Sequence, residues 1–262
     1  IQQLMLGVGA KKKTYMDDVF STYLYRGSGS ARQIVNGIDL SGEGGMVWIK
    51  NRDASDKHIL GDTVRGVNKY LSSNSTAAET NDGSMIQASN SNGFNVGAEY
   101  EVNTNGEDYS SWSFRKAPGF FDVVTYTGNP TSGGRQIAHS LGCVPGMIMI
   151  KCTSESKDWI VYHRELGNGK ALELNTTDSE ATSSTYWSDT DPTSTHFTLG
   201  TSITVNGDSK DYVAYVFAGG ESTAATATSV EFDGSNDYLT VADSSNDLSF
   251  GSDCTIEMWI KP

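Results

Sequence analysis

Gly45-Met46-Val47-Trp48-Ile49-Lys50 and Gly146-Met147-Ile148-Met149-Ile150-Lys151 are two short apolar runs, each closed by a lysine, in one chain of 262 residues. Continuous apolar runs of this length, bounded by turn residues, read as central strands of a β-sandwich. Laid against itself, the chain yields six further matching blocks in the same order. Tyr25-Arg26-Gly27 falls opposite Tyr126-Thr127-Gly128, and Arg32-Gln33-Ile34 opposite Arg135-Gln136-Ile137. Ile59 and Gly66 fall opposite Ile160 and Gly167, and Lys69, Leu71 and Asn74 opposite Lys170, Leu172 and Asn175. Gly93-Phe94 with Gly97 matches His196-Phe197 with Gly200, and Asp108-Tyr109 with Phe114 matches Asp211-Tyr212 with Phe217. Residue 45 matches 146 and residue 109 matches 212, so the copies are displaced by 101 to 103 residues. Solenoid repeats have periods of about 20 to 50 residues; copies this long are whole domains in tandem.

The strand reading extends along both copies. Tyr109, Trp112 and Phe114 close the first, and Tyr212-Val213-Ala214-Tyr215-Val216-Phe217 closes the second with apolar residues on both faces. Asn105-Gly106 and Asn206-Gly207 precede these strands and predict tight hairpin turns, because both residues tolerate positive φ. No long stretch has a helical period. The fold class expected is all-β: two tandem homologous antiparallel β-sandwich domains, spanning 18–117 and 118–220, joined at Ala117-Pro118-Gly119. A segment at 1–17 precedes them. The small-residue run 221–228 reads as a linker, and a different β-segment occupies 229–262.

The balance of 32 acidic against 19 basic residues leaves a net charge of −13, which argues against a nucleic-acid partner, since phosphate neutralisation needs a basic surface. The run Lys11-Lys12-Lys13 reads as a solvated turn. Cys143, Cys152 and Cys254 form neither a disulfide framework nor a zinc pattern, so reduced thiols are expected. No apolar run approaches the roughly 20 residues that span a bilayer, and no membrane insertion is expected. Ile1–Ala10 lacks the basic start and cleavage site of a signal peptide, so Sec export is not expected.

The candidate chemistry is sparse. His58, His139, His163 and His196 are scattered, none at a metal-ligand spacing from another, and His163 reads as a strand-end surface residue. No G-x-S-x-G elbow offers a serine nucleophile. Asp189-Thr190-Asp191-Pro192 and Asn103-Thr104-Asn105-Gly106-Glu107-Asp108 carry oxygens at alternate positions, as calcium loops do, but turn chemistry accounts for both. Trp48 and Trp112 sit in strand blocks and are expected in the core. Trp159 and Trp187 have no tryptophan counterpart in the first copy, and are the expected ligand contacts at the surface. No catalytic, metal or cofactor site is assigned, and the chain is not expected to be an enzyme.

Two resemblances extend this reading. Val230-Glu231-Phe232-Asp233-Gly234-Ser235-Asn236-Asp237-Tyr238-Leu239, with Cys254-Thr255-Ile256-Glu257-Met258-Trp259-Ile260-Lys261-Pro262, resembles the opening of a laminin-G-like, concanavalin-A-type jelly roll. That resemblance implies the N-terminal part of such a domain at 229–262, incomplete here. Many members bind glycans or calcium, but their ligand loops come later in the fold. Gly9-Ala10-Lys11-Lys12-Lys13-Thr14-Tyr15-Met16-Asp17-Asp18-Val19-Phe20, Gly42-Glu43-Gly44-Gly45-Met46-Val47-Trp48-Ile49-Lys50 and Trp112-Ser113-Phe114-Arg115-Lys116-Ala117-Pro118-Gly119-Phe120-Phe121 resemble virion proteins of marine bacteriophages, including those of cyanobacteria. The likeness covers roughly residues 1 to 220. It implies a structural protein of a virion, made in the host cytoplasm: a tail fibre or similar surface appendage used in host attachment. Residues 1–17 would then dock on other virion proteins, the repeats would form a shaft, and the distal domain would meet a host glycan or receptor. Fibres are usually symmetric homo-oligomers, and a trimer is expected by analogy. The alternatives are a head-decoration or head-fibre protein, a polysaccharide-degrading enzyme and, disfavoured by the absent signal peptide, a secreted adhesin.

Overall fold

The computed structural model describes residues 14–130 and 134–220. The linker at 221–228, the jelly-roll-like segment at 229–262, Cys254, and all but the last four residues of the segment 1–17 lie outside the described residues. In the first repeat a single helical turn, α1 (Met16–Val19), leads into β1 (Phe20–Arg26). β2 (Arg32–Val35), β3 (Gly45–Asn51), β4 (Ile59–Asp62), β5 (Lys69–Ser72), β6 (Thr80–Asn81), β7 (Ile86–Asn90) and β8 (Gly93–Val96) follow, then α2 (Tyr100–Asn103) and β9 (Asp108–Arg115). In the second repeat come β10 (Phe121–Thr127), β11 (Arg135–Ala138), β12 (Pro145–Cys152), β13 (Ile160–His163), β14 (Lys170–Glu173) and β15 (Ala181–Thr182). The chain then passes through α3 (Ser184–Trp187), β16 (His196–Leu199), α4 (Ile203–Asn206) and β17 (Asp211–Ala218).

Each repeat is an antiparallel sandwich of one large and one small sheet. The large sheets run β1-β9-β3-β4-β5-β6 and β10-β17-β12-β13-β14-β15, the same order in both repeats. The small sheets are β2-β8-β7 and β11-β16. The matching blocks have local physical reasons. Tyr25 stacks on Tyr109 with centroids 5.2 Å apart, and Tyr126 stacks on Tyr212 at the same distance. The Arg32 and Arg135 guanidiniums lie over Tyr25 and Tyr126, at 5.4 and 5.7 Å. A Cβ on Gly27 would lie 1.9 Å from the Thr104 carbonyl oxygen, and one on Gly128 equally close to that of Gly207. No other residue fits the Tyr-x-Gly corner.

One turn differs from expectation. Asn105-Gly106 does form the turn before β9, with Gly106 at φ +88°. Asn206-Gly207 does not form its counterpart: Asn206 ends α4, and Gly207 has φ −62°. Asn206 is the equivalent of Asn103. Both are buried, and both amides donate to glycine carbonyls six residues earlier, Gly200 and Gly97, at 2.9 and 2.7 Å. The turn of the second repeat falls two residues later, where Ser209 takes φ +57°.

Side chains alternate between two faces along a strand, and the large sheets are apolar on both. Val47, Ile49 and Tyr109 point into the first repeat's own core with Ile34 and Phe94. Ile148, Ile150, Tyr212, Ala214 and Val216 do the same in the second with Phe197. The opposite faces meet each other: Met46, Leu60 and Leu71 pack with Val123, Met149, Trp159, Val161 and Tyr215 in a third core. Equivalent residues of the two repeats occur together there, Leu60 with Val161 and Phe114 with Phe217 (5.4 Å, 84°). The interface is therefore isologous, as between the halves of a two-fold dimer. The result is four layers (small, large, large, small) with both repeats in one compact unit.

A buried ion cluster crosses this interface. Arg65 Nε donates to Asp62 Oδ2 at 2.6 Å, and Arg65 Nη1 to Glu79 at 2.9 Å. Arg65 Nη2 donates to the Tyr215 hydroxyl at 3.0 Å, which in turn donates to Asp62 Oδ2 at 2.8 Å. Burial opposes the charge on Arg65, but Tyr215, Asp62 and Glu79 outweigh it and hold the guanidinium firmly protonated. Removing one partner of such a buried pair strands the other. Asp62→Ala is expected to lower the unfolding free energy by about 3–5 kcal/mol in urea denaturation. Arg26→Ala, which breaks an exposed 3.9 Å ion pair with Asp108, is expected to change it by less than about 1 kcal/mol.

Candidate functional site between the repeats

The tryptophans exchange the roles expected of them. Trp159 is fully buried in the shared core, and its indole N–H donates to the Ser72 carbonyl of the other repeat at 2.9 Å. Trp187 is 1 % exposed; its indole N–H donates to the Lys170 carbonyl at 3.0 Å, and it packs edge-on against Tyr162. Neither is a surface contact. Trp187 lacks a counterpart in the first repeat because it fills a gap peculiar to the second. The small sheet of the second repeat has two strands where the first has three, and α3 carries Trp187 into the core beside them. Trp48 and Trp112, expected in the core, are only partly buried and pack edge-to-face at 6.0 Å.

Trp48 lines a cavity of about 550 Å³ between the repeats, with His58, Asn74, Leu174, Asn175 and Asp178 among its neighbours. The cavity lies where the repeats' equivalent loops meet, since Asn74 and Asn175 are counterparts. Its origin is a failure of the repeat symmetry. His58 stands at the position Trp159 holds in the second repeat, and Trp48 at that of Met149. Trp159 reaches across to Ser72, whereas the smaller ring of His58 leaves space open. The walls are held from behind. Asn74 Oδ1 accepts from the His58 backbone N–H at 3.0 Å, and Asn175 Oδ1 accepts from that of Trp159 at 2.7 Å. Asn175 Nδ2 donates to Asp158 at 2.8 Å. Burial, and then the charge of Lys50, hold the His58 pKa below its ordinary value, so the ring is neutral at neutral pH. Sequence reading missed both Trp48 and His58. The available signal was the mismatch of aligned positions, Trp48 against Met149 and His58 against Trp159.

A second cavity, of about 400 Å³, is lined by Arg65, Lys69, Glu79, Tyr126 and Tyr212. Its charges are engaged with one another, Glu79 bridging Arg65 and Lys69. Among the described residues, no three His, Cys, Asp or Glu side chains converge to hold a metal ion. The alternating-oxygen loops serve as turns: Asn103 bonds Ser28, Ser30 and Gly97, and Asp191 accepts from Asn168 at 2.8 Å. Cys143 and Cys152 are free thiols. His163 is partly buried, at the end of β13.

Lys151 is fully buried beside the interface, its ammonium donating to the Thr76 and Cys152 carbonyls at 3.0 Å each. Burial lowers its pKa from 10.5 to about 8, against the smaller opposing effects of Cys152 and Asp158. The unfolded chain therefore holds this proton more tightly than the folded one, and stability rises with pH between about 8 and 10.5. Lys151→Met lacks this contribution. The wild type is expected to gain up to about 3 kcal/mol relative to Lys151→Met across that window, read as the difference between their urea midpoints at successive pH values.

Comparison with known proteins places the chain in a family without assigning it a role. The curated proteins gave no match. Among solved structures, one titled "Crystal Structure of the STIV MCP" aligns at 7 % identity over 76 % of this chain and 85 % of that chain, with a TM-score of 0.21. A likeness at that score carries no argument about fold or function. The family described as "Domain of unknown function (DUF7483)" matches residues 16–237, both repeats included. The chain belongs to the DUF7483 family.

Proposed function

We propose that the chain is a structural component of a bacteriophage virion, a tail fibre or similar surface appendage used in host attachment. The observation that carries this reading is the fused double repeat. Two copies of one sandwich share a core and a buried ion cluster, so the pair behaves as a stiff block rather than as beads on a string. A stiff block suits a spacer that must transmit position between a docking end and a contact end. The likeness of residues 1 to 220 to virion proteins of marine phages points the same way. So does the jelly-roll-like segment at 229–262, which would stand at the contact end. In this reading the appendage is a homotrimer, docked on other virion proteins through residues 1–17 and multiplying weak host contacts by avidity.

Immunogold labelling of intact virions with antibody against residues 20–220 tests this directly. Label on the tail is the expected result. Label on the head would make the protein a capsid decoration, and unlabelled virions would overturn the virion assignment.

A further inference from the structure

We propose that the cavity between the repeats binds a neutral saccharide unit seated against Trp48. The proposal takes its biological setting from the attachment reading above and its chemistry from the cavity alone.

Three observations carry it. The cavity marks a break in the repeat symmetry: Trp159 fills its side of the interface and is hydrogen-bonded to Ser72, whereas its counterpart His58 lines about 550 Å³ of open space, within the usual range of small-molecule sites. Second, the lining mixes an aromatic surface with free polar groups. Trp48 and Leu174 supply apolar area. His58, Ser73 and Asp178 also line the cavity, and their side chains make no hydrogen bond among the described residues. Together they offer donors and acceptors in several directions. Third, neither Lys nor Arg lines the cavity while a carboxylate does, in a chain of net charge −13. Phosphate, sulfate and carboxylate ligands would meet no Lys or Arg in the lining. A ligand with one apolar face and a rim of hydroxyls, carrying no charge, satisfies all three conditions. A pyranose has that form: its C–H face lies on the indole and its hydroxyls exchange hydrogen bonds with His58, Ser73 and Asp178. In this pose the amphipathic ring of Trp48 serves as an anchor, a common use of tryptophan at binding surfaces.

The test is saturation-transfer NMR and calorimetric titration of the full chain with glucose, galactose, mannose and N-acetylglucosamine, with their oligosaccharides, and with glucose 6-phosphate as the charged control. At least one neutral sugar is expected to bind, and glucose 6-phosphate to bind at least tenfold more weakly than glucose. His58→Trp, which restores the arrangement of the second repeat, is expected to weaken binding at least tenfold without lowering the thermal midpoint. Asp178→Ala removes an exposed rim group with no structural bond and is expected to weaken binding severalfold, which keeps the proposal testable if His58→Trp folds poorly. Binding by none of the neutral sugars, equal binding of the phosphorylated one, or binding unchanged in Asp178→Ala and in folded His58→Trp would each overturn it. Virion labelling and sugar titration fail separately, so loss of one reading is distinguishable from loss of the other.

Discussion

The structure depends on the packing of two equivalent sheet faces against each other. A large sheet with apolar residues on one face needs only its small partner sheet; apolar on both, it must be covered twice. Met46, Leu60 and Leu71 form the second apolar face in the first repeat, and Val213, Tyr215 and Val161 in the second. Stacked together they bury both outer faces at once, and one domain-sized repeat becomes half of a four-layered body. The polar groups caught at this interface follow from it. Arg65 and Asp62 are paired because they are enclosed, Lys151 is held by carbonyls for the same reason, and the indole of Trp159 finds its acceptor on the other repeat.

The repeat, its strands and the all-β class were legible because they rest on local chemistry. Tyr25 and Tyr126 need their stacked partners, and Gly27 and Gly128 tolerate no side chain against a carbonyl. Both sets recur as sequence blocks. The two-faced apolar run Tyr212–Phe217 also contained the sign of a sheet buried on both sides, but sequence does not say what covers the second face. The misplaced turn at Asn206-Gly207 has a similar cause. An Asn-Gly pair carries a strong local preference for a hairpin, yet the buried amide of Asn206 is held by its bonds to Asn129 and Gly200.

The candidate site was illegible for a different reason. A tryptophan unique to one repeat suggests a gained surface function, but Trp159 and Trp187 are unique because they fill space. The proposed site lies in the opposite place, where the first repeat carries the smaller ring of His58 beside a cavity. The duplicated fold has one interface with two nearly equivalent halves, and the proposed site lies where that equivalence fails. Recognising this from sequence requires knowing that positions 58 and 159 face the same interface, which only the stacking of the repeats supplies.

Two repeats that share a core are expected to unfold as one unit. Native-state hydrogen exchange on the full chain carrying Phe94→Ala tests it most directly, because Phe94 lies in the first repeat's own core, away from the interface. A cavity there costs about 3–5 kcal/mol, and exchange protection reports which segments open together. Amides of β17, in the second repeat, are expected to lose protection to the same extent as those of β3. Loss confined to the first repeat, with β17 unchanged, would show two independent domains and contradict it.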